Sequence, residues 1–71
     1  MTETFTAVAV GNNVNIINQW GGKRYGVQVS GQIISTPIIS GETFSVLTQV
    51  GKQKLLGIYS FHGGKIGGRY I

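Results

Sequence analysis

The sequence predicts an all-β protein, an antiparallel meander of about seven strands, and three observations carry that reading. Apolar residues alternate with a period of two almost throughout, which is the period of strands and not of helices. Clusters of Gly, Asn and Ser punctuate those runs at short, regular intervals, and such residues make tight turns. Charge is sparse, with 11% of residues charged against 41% hydrophobic and 12 glycines. That composition suits pleated strands better than helices with solvated faces.

Strands are expected at roughly 4–10, 14–20, 24–30, 32–39, 42–50, 53–61 and 66–70, the even spacing of a sandwich, barrel or propeller sheet. In the first, Phe5, Ala7 and Ala9 oppose Thr6, Val8 and Val10. Gly11-Asn12-Asn13 starts the second and Gly21-Gly22 stops it. In the third, Tyr25, Val27 and Val29 form a dry face against Arg24, Gly26, Gln28 and Ser30. The fourth carries Pro37 between Ile33-Ile34 and Ile38-Ile39. Proline cannot donate to a ladder, so this segment is expected at an edge or a bulge. Phe44, Val46 and Val50 oppose Ser45, Leu47 and Gln49 in the fifth, and Leu55, Tyr59 and Phe61 oppose Leu56, Ile58 and Ser60 in the sixth. Pairs such as Ile33-Ile34, Ile38-Ile39 and Leu55-Leu56 put apolar groups on both sides, so both faces are expected to be covered.

The chain is also written twice. Glu3-Thr4-Phe5-Thr6 returns as Glu42-Thr43-Phe44-Ser45, Val10-Gly11 as Val50-Gly51, and Gly21-Gly22-Lys23 as Gly63-Gly64-Lys65. The drifting offset is expected to fall where short loops absorb an insertion. Residues 1–71 then form a single domain of two repeats, about 3–41 and 42–71. A period near ~40–45 residues suits a four-stranded propeller blade, and two such units cannot close a ring of roughly four to eight. A 71-residue chain has little interior and usually needs a staple. There is no cysteine for a disulfide, and one histidine makes a structural zinc site a poor expectation. Homo-oligomerisation remains, with three or four chains completing a propeller-like or otherwise closed array, joined through edge strands at 4–10 and 66–70. The competitor is a small barrel or sandwich that stays monomeric or dimeric.

No basic segment and apolar core follow Met1-Thr2-Glu3, so no signal peptide is expected. No apolar run approaches ~18–20 residues, so no membrane span is expected either. A cytoplasmic protein without a membrane partner is the resulting expectation.

The stretch from Ile33-Ile34-Ser35-Thr36-Pro37-Ile38-Ile39 through Ser40-Gly41-Glu42-Thr43-Phe44-Ser45-Val46, followed by Val50-Gly51, Leu55-Leu56-Gly57-Ile58-Tyr59 and Gly64-Lys65, resembles a repeat of the PQQ-like (quinoprotein-type) β-propellers. The earlier copy resembles it from Phe5 through Gly22-Lys23, without the repeat's first strand. The tryptophan usual after the Gly-Lys turn is replaced by Tyr25 and by Gly67-Gly68. The acidic residue of the central hairpin is replaced by Asn12-Asn13 and by Lys52. The resemblance implies blade-like sheets and carries over no quinone cofactor and no metal.

The site residues follow from these placements. Glu3 and Glu42 are the only carboxylates and His62 the sole histidine. Repetition gives the carboxylates a shared structural role, and the histidine lacks the companions of a triad, so a non-enzymatic protein without cofactors is expected. Gly21-Gly22-Lys23 and Gly63-Gly64-Lys65 have neither the spacing nor the following helix of a phosphate loop. The net charge of +4 suits anionic partners and is also ordinary for solubility. Lys23, Arg24, Lys65 and Arg69, flanked by Trp20, Tyr25, Phe61 and Tyr70, suggest a basic rim for single-stranded nucleic acid. Trp20 beside Asn18 and Gln19 suggests a sugar-stacking site, as in small two-repeat lectins, against burial of Trp20 between blades. The function expected is a non-enzymatic oligomeric binding or scaffold module, with nucleic acid and glycan binding as alternatives.

Overall fold

The computed structural model describes residues 2–71, so the first residue of the predicted 1–71 domain lies outside the described residues. Eight strands run in order: β1 (Phe5–Val10), β2 (Asn13–Asn18), β3 (Lys23–Gln28), β4 (Gln32–Ile33), β5 (Ile38–Ser40), β6 (Thr43–Val50), β7 (Gln53–Ser60) and β8 (Lys65–Tyr70). All pairings are antiparallel. β1-β2-β3 form a three-stranded sheet; β6 pairs with both β4 and β5 on one side and with β7, then β8, on the other. No helix forms among the described residues.

Two-residue loops close the β1–β2 and β6–β7 hairpins. Gly11 and Gly51 hold φ of 63° and 62°, as the leading position of a type II′ turn demands. Each is followed by a polar residue, Asn12 or Lys52.

The predicted fourth strand is corrected to two. Ile33 pairs with Thr48 and Ile38 with Ser45, so five steps along one strand match three along β6. The surplus lies at Ser35-Thr36-Pro37, where proline breaks the ladder on an edge, as its missing N–H requires. The other edges are β1, β3 and β8.

Between the sheets Val14, Ile16, Val29, Phe44, Val46, Tyr59 and Phe61 are buried, with Phe5, Ala7, Tyr25, Val27, Ile33 and Ile39 packed around them. Phe44 is the hub. Its ring stacks on Tyr59 at 5.3 Å and meets Tyr25 and Phe61 at 6.0 Å each, while Phe5 meets Phe61 edge-on at 4.8 Å. The expectation that both faces of the paired-apolar strands are covered is not met within the chain. Ile34, Ile38 and Ile58 remain 43%, 67% and 38% exposed, because the three-stranded sheet covers one side only.

The segments that match in sequence do not lie face for face. The offset is 40 residues at the first turns, Gly11 and Gly51, and 42 at the second loops, Gly22 and Gly64. Both are even, so turn-matched positions share a side of their sheets. Yet β1 turns its odd residues inward, opposite Ile16 and Val14, while β6 turns its even residues inward. The matching Phe5 and Phe44 differ by 39. The one-residue drift therefore sits between Phe5 and Val10 and between Phe44 and Val50, inside strands and not in a loop as expected. One residue of slip in a strand exchanges its faces.

Candidate functional site

The β2–β3 and β7–β8 loops are built alike. Gly21 N–H donates to the Asn18 carbonyl at 3.0 Å and Gly63 N–H to the Ser60 carbonyl at 3.1 Å. Trp20 N–H donates to Asn18 Oδ1 and His62 N–H to Ser60 Oγ, both at 3.1 Å. Trp20 and His62 thus occupy matching positions. Each loop is also held by a carboxylate: Asn18 Nδ2 donates to Glu3 Oε2 at 3.0 Å, and His62 Nε2 lies 3.1 Å from Glu42 Oε2. Sequence spacing offers His62 no acidic partner; the Gly41-Glu42 turn supplies it. Both members of that pair are more than 60% exposed, a setting in which such pairs contribute little stability.

Trp20 is 62% exposed, so the expected burial between sheets is not met within one chain. Its neighbours Asn18 and Gln19 are partly engaged within the chain. Gln19 Oε1 accepts from the Thr4 backbone and hydroxyl, and its Nε2 donates to the Thr2 carbonyl. Asn18 Oδ1 also accepts from Gly22 N–H at 2.7 Å.

Of the expected basic residues, Lys23, Arg24 and Lys65 lie at this loop end. Tyr25 joins the two copies there, its hydroxyl accepting from Gly64 N–H at 3.1 Å. Lys23 lies along β3 over Gly26, and Lys65 along β8 over Gly68; a Cβ on those glycines would stand 3.2 Å and 2.9 Å from the lysine Cε atoms. Glu3 and Glu42 share this end, so its charge is mixed.

Arg69 lies apart. It pairs with Leu56 on the far side of the five-stranded sheet, towards the Gly51-Lys52 turn. Lys54 is two residues from Leu56 on the same side, opposite Gln49, and its carbonyl accepts from Ile71 N–H. Lys52, Lys54 and Arg69 therefore gather away from both carboxylates, a cluster the sequence reading missed although Lys52-Gln53-Lys54 directly follows a turn.

That side of the sheet is largely apolar. Register sets Leu47 beside Leu56 beside Arg69, and Ile38 beside Ser45 beside Ile58 beside Gly67. Ile34 donates its N–H to the Leu47 carbonyl and extends the first row. Leu56, Ile58, Gly68 and Arg69 line a shallow depression here. A second cleft lies between Ala7 and Ala9 of β1 and the Ile33–Pro37 excursion. β1 pairs through a two-residue turn closed by Val10 and Asn13. The alternation of an antiparallel ladder therefore points the N–H and C=O of Phe5, Ala7 and Ala9 away from β2.

Among the described residues no cluster of three or more potential metal ligands occurs, and no helix is long and apolar enough to cross a membrane. Burial, with the nearby Tyr25 phenol, raises the Tyr59 hydroxyl above its ordinary pKa. Compared with protein families, with characterised proteins and with solved structures, the chain matches none of them.

Proposed function

We propose that this protein is a non-enzymatic scaffold module that works as a homo-oligomer, each chain supplying two sheets to a closed all-β array. One observation carries the reading: the apolar rows through Leu47, Leu56 and Ile58 on the side of the five-stranded sheet that its own chain leaves bare. A chain with seven buried hydrophobic side chains has little interior of its own, and small domains commonly gain the remainder by association. The open β1 edge adds to this, because unpaired strand edges are aggregation hazards that native proteins cover. Three or four chains would bring six or eight sheets together, the blade count of the propellers that the repeat resembles.

The test is sedimentation velocity on the parent and on the double variant Leu47→Lys, Leu56→Lys. The reading expects the parent to sediment as an oligomer and the variant as a folded monomer. Equal sedimentation coefficients for the two proteins would defeat it.

A further inference from the structure

Resting on that oligomeric reading, we infer that copies join head to tail, the bare side of the five-stranded sheet of one copy packing on the outer side of the three-stranded sheet of the next. The partner is a second copy of this chain, bound through two different surfaces and not through one shared patch.

The two matching segments exchange faces. Aligned on their turns, the inward side of β1-β2-β3 (Ala7, Ile16, Tyr25) corresponds to the bare side of β6-β7-β8 (Leu47, Ile58, Gly67). The inward side of β6-β7-β8 corresponds in turn to the outer side of β1-β2-β3. Val8, Val10, Ile17 and Gly26 stand there where Thr48, Val50, Tyr59 and Gly68 stand on the second sheet, and Lys23 overlies Gly26 as Lys65 overlies Gly68.

The packing inside one chain is therefore a contact between two unlike sides of one repeated unit. Such a contact leaves one unused surface of each kind, matched to the inner pair in backbone placement though not in side chains: Thr4, Thr6 and Gln19 stand where Phe44, Val46 and Phe61 stand. A two-fold dimer pairs like with like; a contact between unlike surfaces propagates and closes into a ring when its rotation allows. Had the copies turned the same side inward, their leftover surfaces would be alike and a two-fold pairing would follow.

Transposing the contacts within the chain locates those between chains. Phe5 meets Phe61; shifted by the turn offsets, Ser45 of one copy faces Gln19 of the next. Tyr25 meets Gly63 and Gly64; shifted likewise, Gly67 faces Gly21 and Gly22 of the next copy. The exposed Trp20 belongs to that receiving loop, which sets the lone tryptophan at the junction.

The chain contains no cysteine, which permits a direct test. Ser45→Cys and Gln19→Cys are prepared separately, mixed under conditions that let subunits exchange, and treated with a short bismaleimide. A second pair, Ile58→Cys with Val8→Cys, guards against one variant misfolding. Covalent dimer in the mixtures, and at most background in each variant alone, is the expected result. Dimer within a single variant, or an oligomer in which neither mixture cross-links, overturns the head-to-tail contact and leaves the oligomeric reading standing. A monomeric native mass overturns both.

Discussion

The Tyr25 hydroxyl accepts a hydrogen bond from Gly64 N–H at 3.1 Å, tying the first strand after one Gly-Gly loop to the Gly-Gly loop of the other copy. It is the only side-chain hydrogen bond found between the two sheets among the described residues, so the Tyr25→Phe variant isolates it. The ring keeps its place 6.0 Å from Phe44, while the Gly64 donor loses its partner. A hydrogen bond of this kind contributes about 0.5–1.5 kcal/mol, and 1 kcal/mol moves Tm by roughly 4–8 °C in a domain this small. Thermal unfolding followed by circular dichroism should show a drop of a few degrees; an unchanged Tm would mean that this bond does not hold the sheets together.

Phe44 touches three other aromatic rings and is 1% exposed. Truncating a buried phenylalanine costs about 3–5 kcal/mol, comparable with the whole stability that a single core of this size supplies. Phe44→Ala should abolish the cooperative thermal transition, whereas Phe44→Leu should retain it at a lower Tm. A folded alanine variant would place the core elsewhere.

Tyr59 predicts an alkaline limit. Burial raises its pKa above the value of an exposed tyrosine, and the Tyr25 charge adds to the effect. The folded state then holds its proton to higher pH than the unfolded chain does. The contribution is fully present below about pH 10, the unfolded pKa, and is lost as pH climbs through the folded value. Urea midpoints measured from pH 9 upward should fall for the parent, and fall less steeply for Tyr59→Phe. Parallel curves would rule out this residue as the cause.

Two glycines separate backbone need from free space. Gly31 has φ of 77° and its missing Cβ would strike the Gln49 carbonyl, whereas Gly67 has no atom within 4 Å of that position. Gly31→Ala should cost more than about 1 kcal/mol, since both strain and clash oppose it, and Gly67→Ala should leave the urea midpoint of the Leu47→Lys, Leu56→Lys double variant unchanged. Equal midpoints would show that the Gly31 turn relaxes.

Much of the fold was legible because alternation and turn chemistry are local. The inward sets Phe5 and Ala7, Tyr25 and Val27, Phe44 and Val46, and Tyr59 and Phe61 follow from a period of two. Pro37 marked its edge and its bulge, although not that the bulge would split a strand in two. What the sequence hid was relational. The match of Glu3-Thr4-Phe5 to Glu42-Thr43-Phe44 reads as simple duplication, and only the register shows that β1 turns its odd residues inward and β6 its even ones. The pairing of His62 with Glu42 and the gathering of Lys52, Lys54 and Arg69 likewise depend on which strands become neighbours, which no spacing along the chain encodes.

The central claim is that one chain is an incomplete unit, and its native mass in solution tests this most directly. Size exclusion with light scattering, run on the unmodified protein over a dilution series, should return three or four times the 7.6 kDa chain mass at the highest concentration. A folded species that stays at 7.6 kDa across the whole series, with the thermal transition intact, would contradict the account.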